Sequence, residues 1–276
     1  MLNNYFQHQA HIFDIECNFR CPDDCNAPGC RKVDIIVEVT IFDLIRLGRF
    51  LNTPAYHLFS QYCHLGLMIC EDNIRYKRLL IKMKKPCLFL SENQCVVHDA
   101  KPLNCKLFPE LYHIKGVLPK LSKNPLFYTF PCLKEPIVIS EKRIKALTKL
   151  RRMSLREQAL SHEYLFGVPS FVIDEKPLRK KLRRNHPKHQ NLSLQDYDNL
   201  LKKLLKSYSY IENVLEKISR LDAESERKNL FEKLSDHVIM EHLMEKMVRP
   251  MVVHRLERDD IKQLKRSLHP PAIYFT

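Results

Sequence analysis

The chain has 276 residues, a formal net charge of +14 and a hydrophobic fraction of 45%. This length predicts one or two globular domains of roughly 100–200 residues each, and it excludes a small scaffold that depends on disulfides. The N-terminus lacks the pattern of a secretory signal, and no apolar run reaches the roughly 18 residues of a membrane span. We therefore expect a cytoplasmic protein without a membrane partner.

Charge and cysteine content differ between the two halves of the chain. Residues 1–140 hold 17 Lys or Arg against 13 Asp or Glu, whereas residues 141–276 hold 29 against 19. All ten cysteines precede residue 133. Thiols stay reduced in the cytosol, so a dense set of them favours metal binding or catalysis over cross-linking. The first half is thus predicted to be a module whose fold and function depend on its cysteines, and the second half carries most of the net positive charge.

The first half is predicted to consist of short elements. Residues 34–40 have the β-branched content of a strand. Thr40 is the predicted N-cap of a helix, because Asp43 stands three residues later, as in a capping box. The apolar stretch around residues 58–70 is interpreted as helical, and Cys63 and Cys70 within it are expected to be buried core thiols. Residues 86–109 are rich in proline and polar turns, which predicts loops that a metal could staple.

Helices are predicted throughout the second half. Residues 140–166 form a basic amphipathic helix in this prediction, and residues 167–192 form a linker. From residue 193, apolar residues recur at alternating steps of four and three as far as Ile218, which is the pattern of a helix. A second helix is expected over residues 223–247, packed against the first as an antiparallel hairpin. Its inward residues are predicted to be Leu230, Leu234, Val238, Leu243 and Met247.

Eight cysteines in two sets are the predicted metal ligands. The first set places four thiols within fourteen residues, among prolines and a glycine that interrupt regular structure, and the second set is spread over the prolines and turns further on. These residues are Cys17, Cys21, Cys25 and Cys30, then Cys87, Cys95, Cys105 and Cys132. They could fill two four-ligand sites, or one site with several structural cysteines. Zinc and iron–sulfur clusters both accept four thiolates, so the spacing leaves both open.

His98 follows Cys95 at a spacing that would also suit a ligand pair. We favour the alternative interpretation, in which His98 is a loop histidine held by hydrogen bonds.

The second cysteine set resembles a known family. The segments Cys87-Leu-Phe-Leu, Cys95-Val-Val-His98, Lys101-Pro102 and Cys105-Lys-Leu-Phe-Pro109 are similar to the signature of the CxxCxxCC cysteine-cluster family, the zinc- or iron-chelating domain of YkgJ type. The resemblance covers roughly residues 14–135. It departs from the family at Cys25 and Cys30, which are separated here and adjacent there. The flagellin lysine N-methylases are similar over the same motifs, and they imply an iron–sulfur cluster that serves methyl transfer from S-adenosylmethionine.

A strongly basic segment lies in the predicted linker. Residues 176–188 carry seven positive charges and no acid. Such a run attracts polyanions or acidic proteins through salt-dependent contacts. The predicted contact residues are Arg179, Lys180, Lys181, Arg183 and Arg184. The alternative interpretation is a solvated linker without a partner.

These patterns predict a mostly α fold with short strands and metal-stapled loops. The predicted divisions are a cysteine-cluster domain (residues 1–139), a basic amphipathic helix (140–166), a basic linker (167–192) and a C-terminal helical hairpin and tail (193–276). The first expected function is metal binding, with an iron–sulfur cluster or zinc. One alternative is an iron–sulfur-dependent enzyme resembling protein-lysine N-methylases, which would use S-adenosylmethionine. The other is a zinc-stabilised module that binds nucleic acid or a protein partner.

Overall fold

The structure is a computed structural model that describes residues 2–17, 19–20, 25–70, 73–114, 127, 129–134, 137–169, 172–174, 210–248 and 253–255. Over these residues the chain is mostly helical with a few short strands, which confirms the predicted mostly α fold. The metal-stapled loops stay a prediction. The helices are α1 (Leu2–Asp14), α2 (Pro28–Arg31), α3 (Ile41–Leu51), α4 (Ala55–Tyr62), α5 (Leu103–Leu107), α6 (Glu110–Ile114), α7 (Glu141–Phe166), α8 (Tyr210–Arg220), α9 (Glu224–Ser235) and α10 (His237–Val248). None of these described helices is long and apolar enough to cross a membrane.

The strands form a four-stranded sheet and a small hairpin. The sheet has the order β1-β2-β5-β6, with β1 (Cys63–Cys70), β2 (Asn73–Met83), β5 (Val172–Asp174) and β6 (Val253–Arg255). β2 is antiparallel to both β1 and β5, while β5 and β6 are parallel. The hairpin joins β3 (Leu90–Ser91) to β4 (Gln94–Cys95). Since β5 lies inside residues 167–192, part of the predicted linker is a strand.

Two local predictions in the first half are wrong. The stretch predicted as helical from residue 58 leaves the helix after Tyr62 and continues as β1, because residues 63–69 pair one by one with β2. Cys63 is nevertheless buried in the core, as expected of a structural thiol. The strand predicted over residues 34–40 is reduced to one bridge, in which Glu38 lies opposite Lys82. The side chain of Cys70 lies outside the described part of the structure.

The predicted start of α3 is confirmed. The Thr40 hydroxyl accepts a hydrogen bond from the backbone nitrogen of Asp43 at 3.0 Å. In return, the Asp43 carboxylate accepts one from the backbone nitrogen of Thr40 at 2.9 Å. This reciprocal capping box satisfies two donors that the first turn of a helix would otherwise leave unpaired. The helix then runs to Leu51 and ends at Asn52 in the left-handed conformation, with φ of 49°.

The helix predicted over residues 140–166 is confirmed as α7. The hydroxyl of Ser140 caps it by accepting from the backbone nitrogen of Arg143 at 3.1 Å. Gly167 ends it with φ of 74°, a conformation that costs little only for glycine. α7 is central to the fold, because α1, α3, α5, α9 and α10 all pack against it.

The second helix predicted near the C-terminus is interrupted. α9 ends at Ser235 and α10 begins at His237, with the Asp236 carboxylate accepting from the backbone nitrogen of Ile239 at 3.0 Å. This new N-terminus changes the helical phase, so Val238 is 79% exposed rather than inward and Met240 is buried instead. Leu230, Leu234 and Leu243 are buried as predicted. Residues 193–209 of the first predicted helix lie outside the described residues.

The main hydrophobic core includes side chains from both halves of the chain. Phe42 and Leu65 from the first half share it with Leu160, Val214 and Phe231 from the second. Phe231 of α9 meets the ring of Phe42 edge-on at a centroid distance of 5.3 Å. The packing therefore crosses the boundary predicted at residues 139–140.

Candidate metal centre

Three separate segments carry four of the predicted ligand cysteines into one region of the fold. Cys30 lies in α2, Cys87 and Cys95 lie at the two sides of the β3–β4 hairpin, and Cys105 lies in α5. The backbone nitrogen of Cys87 donates to the carbonyl of Cys30 at 2.8 Å, and the Cys30 thiol donates to the Cys87 sulfur. Cys95, Cys105 and the core thiol of Cys63 all lie close enough to Cys87 for its charge to raise their pKa values, and of these three only Cys63 is fully buried in the main core. Cys87 is therefore the centre of a four-thiol group.

Hydrogen bonds outside the thiols hold the hairpin against α2. Arg31 donates to the side-chain oxygen of Asn93 at 2.7 Å, and Lys85 donates to the carbonyl of Gly29 at 2.5 Å. Asn93 is at the hairpin turn with φ of 65°, a conformation that asparagine tolerates better than most residues. The positions of Cys30 and Cys87 are thus fixed by backbone and side-chain contacts that do not involve a metal.

The ionisation of the four thiols is uneven. The hydrogen bond from Cys30, with Lys85 nearby, lowers the pKa of Cys87 to about 6, and the same bond raises the pKa of Cys30. Burial raises the pKa of Cys105 to about 12 and also raises the pKa of Cys95. Cys87 is therefore the thiolate of the group near neutral pH. Metal binding would release protons from the other three thiols, because thiolates are the ligands.

Two lysines supply positive charge at the thiol group. Lys85 favours the thiolate form of Cys30, Cys87 and Cys105, and Lys101 favours that of Cys95 and Cys105. The sequence analysis did not predict Lys85 as a site residue. Its position two residues before the predicted ligand Cys87 could have indicated that role. Cations so placed reduce the electrostatic cost of gathering several thiolates.

The donor set fits a thiolate-bound metal. Four cysteine sulfurs match both tetrahedral zinc and an iron–sulfur cluster. As the side chains are arranged, no three His, Cys, Asp or Glu residues in the described part of the chain form a group that could hold a metal ion. Binding would therefore require the four sulfurs to draw together around it.

The surroundings of the other predicted ligands differ from one residue to the next. Cys17 is exposed, and its sulfur accepts a hydrogen bond from Arg143 at 3.2 Å. Cys25 is half-buried, whereas Cys132 is buried beside Phe130 and Leu133. Cys21 lies outside the described residues. A ligand role for these four residues stays a prediction.

His98 has the surroundings of a loop histidine. Its side chain is 64% exposed, and its two ring nitrogens lie 3.2 Å from the Lys101 amine and 3.5 Å from the Asp99 carboxylate. These surroundings agree with the interpretation favoured in the sequence analysis, in which His98 is a loop histidine and not a metal ligand.

A buried carboxylate connects α3 to the helix that carries Cys105. Asp43 is 1% exposed, and besides capping α3 it accepts from the backbone nitrogen of Leu103 at 3.0 Å. Leu103 begins α5, so the hydrogen bond sets the start of this helix two residues before Cys105. Arg46 forms an ion pair with the same carboxylate. The capping role was visible in the sequence, but this long-range role was not.

Glu157 of α7 is fully buried, close enough to Asp43 for the two carboxylates to influence each other. Its carboxylate accepts from the amide of Gln9 at 2.5 Å and from the hydroxyl of Tyr5 at 2.9 Å. Burial raises the pKa of Glu157 to about 7. The burial of Glu157 could not be predicted from the sequence, because a single glutamate in a long polar helix ordinarily faces solvent.

The predicted contact residues of the basic linker, Arg179, Lys180, Lys181, Arg183 and Arg184, lie outside the described residues. Their role stays a prediction.

No protein-family model, curated protein or solved structure matches the chain. The resemblance to the cysteine-cluster family thus stays a prediction that rests on the motif. The fold and the site define a mostly helical protein with a group of four neighbouring cysteines.

Proposed function

We propose that the chain is a metal-binding protein in which Cys30, Cys87, Cys95 and Cys105 hold zinc or an iron–sulfur cluster. The observation that carries this proposal is that three segments place Cys30, Cys95 and Cys105 within electrostatic range of Cys87. A cysteine that only fills the core packs among apolar side chains, as Cys63 does. The four thiols are instead only half-buried, with Lys85 and Lys101 near them, although Cys87 and Cys95 also contact the edge of the main core.

The charge of the site supports a bound metal. Four thiolates around a divalent ion or a cluster core leave an excess of negative charge, which is costly in a half-buried position. Lys85 and Lys101 offset that excess at the positions where the structure places them. The resemblance to the cysteine-cluster family supports the same conclusion, since it implies chelation of zinc or iron.

Anaerobic purification followed by metal and sulfide analysis tests the proposal. We expect bound iron with acid-labile sulfide and a broad visible absorption if the site holds a cluster, or zinc without sulfide if it does not. Cys87→Ser and Cys105→Ser should each remove most of the bound metal, because serine does not replace a thiolate ligand. Cys63→Ser is the matched control, since that thiol also lies near Cys87 but is fully buried in the main core.

Two results would contradict the proposal. One is wild-type protein that contains neither metal nor sulfide after anaerobic purification and reconstitution. The other is equal metal loss from Cys63→Ser and Cys87→Ser in folded protein. Cys17→Ser and Cys132→Ser extend the test, because a partial loss from either would indicate a second site.

A further inference from the structure

The solvent face of α7 carries a continuous row of cations. Five basic residues follow one another at alternating steps of three and four, which places them within about 80° of the helix circumference. The first four are exposed and the fifth is half-buried. We call them the basic stripe: Lys142, Lys145, Lys149, Arg152 and Arg156.

The opposite face of α7 is fixed in the core. Leu147 and Leu150 pack in the second apolar cluster, while Ala159 and Leu160 pack in the main one. The helix is therefore held rigidly with the stripe outward.

Few acids offset the stripe. Lys142 lies 3.3 Å from Glu16 and Lys145 lies 3.2 Å from Glu141, and both pairs are largely exposed. Such surface pairs are weak and screened by salt, so they compete poorly with a polyanion. Within the described residues, Lys149, Arg152 and Arg156 form no ion pair. The stripe thus presents an excess of positive charge on a preformed surface.

The spacing of the stripe suits a chain of phosphates. At 1.5 Å per residue the five cations extend over about 21 Å, and neighbouring side chains start about 5–6 Å apart. Phosphates recur every few ångströms along a nucleic acid strand, and each cation that neutralises one releases a counterion. Several lysine and arginine side chains could therefore contact consecutive phosphates without a change in α7.

The chemistry of the stripe argues against two other anionic partners. A helix that lies on a membrane needs an apolar face to insert, but the apolar face of α7 is buried in the protein. A protein interface needs an apolar or aromatic centre, whereas the exposed neighbours of the stripe on α7 itself are Glu141 and Thr148.

We propose that the basic stripe binds the phosphate backbone of nucleic acid without sequence specificity. Three of the five stripe residues are lysines, which contact phosphates as point charges, and the stripe offers no aromatic side chain on which bases could stack. This binding is independent of the metal site, and it is carried by residues other than the basic run at residues 176–188.

Fluorescence anisotropy with the full chain tests the proposal, using a labelled single-stranded RNA and a labelled DNA duplex of unrelated sequences. The stripe variant changes Lys145, Lys149 and Arg152 to glutamine, which keeps side-chain length and favours helix. The control variant changes Arg49, Arg220 and Lys228 to glutamine, which are exposed on other helices and lower the net charge equally. Circular dichroism checks that both variants keep the wild-type helix content.

We expect wild-type protein to bind both probes with an affinity that falls steeply with salt. The stripe variant should bind about tenfold more weakly or worse near 0.1 M salt, and its log–log salt slope should be smaller by roughly two to three. The control variant should retain most of the affinity and the wild-type slope. Anionic vesicles and polyglutamate serve as competing probes for a membrane and an acidic protein.

Several outcomes would overturn the proposal. These are no binding of either nucleic acid by the wild type, equal losses in the stripe and control variants, or tighter stripe-dependent binding to vesicles or polyglutamate. A variant with glutamine at residues 179–181 and 183–184 allows one further outcome that would overturn the proposal. If it abolishes binding while the stripe variant binds as the wild type does, the contact lies in that run and not on α7.

Discussion

Glu157 shows how a single side chain can control the pH dependence of this fold. The nearest groups that donate to its carboxylate are neutral ones, the Gln9 amide and the Tyr5 and Thr40 hydroxyls. The Arg46 cation also favours the charged form of Glu157, but it forms its ion pair with Asp43. Desolvation is then the largest influence, and it raises the pKa of Glu157 to about 7 from an ordinary value of 4.5.

Glu157 is expected to make the folded protein less stable as pH rises toward neutral. The folded state holds the proton more tightly than the unfolded chain, so the stabilisation is complete below about pH 4.5 and is lost as pH rises to about 7. The effect is on the order of 3 kcal/mol at about 1.4 kcal/mol per pKa unit. Urea unfolding between these pH values should show Glu157→Gln with a flatter profile than the wild type.

An exposed carboxyl provides the control for this measurement. Glu212→Gln on α8 should leave the profile unchanged, since that side chain is in solvent. A Glu157→Gln profile that still falls by the same amount would show that other groups control the pH dependence.

At the scale of single residues, the sequence predicted roles that depend on neighbours in the chain. Thr40 and Asp43 could be identified because both partners of a capping box are three residues apart. The grouping of Cys30 with Cys87 could not be predicted, because 57 positions separate them and only the folded loops bring them together. The spacing of the ligands predicted thiolate chemistry but did not determine which thiols share a site.

Single elements of this protein depend on one another through buried polar groups. Asp43 connects α3 to α5, and the side-chain amide of Asn104 in α5 donates to the carbonyl of Glu38 at 3.1 Å. α5 has only five residues, too few to be stable alone. The orientation of Cys105 is therefore expected to depend on Asp43.

Asp43→Asn should loosen α5 as well as destabilise the protein. The amide nitrogen of asparagine would face donors from Thr40 or Leu103, and the ion pair with Arg46 would be lost. We expect a loss of about 2–4 kcal/mol in chemical denaturation, as for other broken buried polar pairs. Hydrogen exchange at Leu103 should accelerate more than at Leu150 of α7. Thr40→Ser is the control, because serine keeps the capping hydroxyl and should cost much less. Unchanged exchange at Leu103 would refute the connection.

The sequence predicted elements well where local signals mark their ends. α3 and α7 have polar caps, and α7 stops at a glycine with positive φ. The helix prediction was wrong at residues 63–70, because an apolar run without a clear period fits a helix and a buried strand equally well. It also missed the break at Asp236, since the apolar pattern appears continuous across it. In both cases a contact distant in sequence or a single cap changed the outcome.

The molecule as a whole is organised around α7 and a core that both halves share. Phe231 of α9 packs edge-on against Tyr5 and Phe6 of α1 and against Phe42 of α3, with ring centroids 5.2–5.6 Å apart. These contacts join the C-terminal helices to the N-terminal ones. Since the boundary predicted at residues 139–140 was based on charge and cysteine content, it could not take this packing into account.

Loss of the Phe231 ring is expected to destabilise both halves together. Phe231 is 1% exposed, so Phe231→Ala should lower the free energy of unfolding by about 3–5 kcal/mol through lost burial and a cavity. Val238→Ala, at a side chain 79% exposed on the neighbouring helix, should change it by less than about 0.5 kcal/mol. Hydrogen exchange resolved by residue gives the decisive comparison. In the Phe231→Ala protein, core amides of α3 and of α9 should lose protection by similar factors, because one cooperative unit contains them. If α9 and α10 lose protection while α3 keeps it, the halves unfold separately and the boundary predicted from the sequence is real.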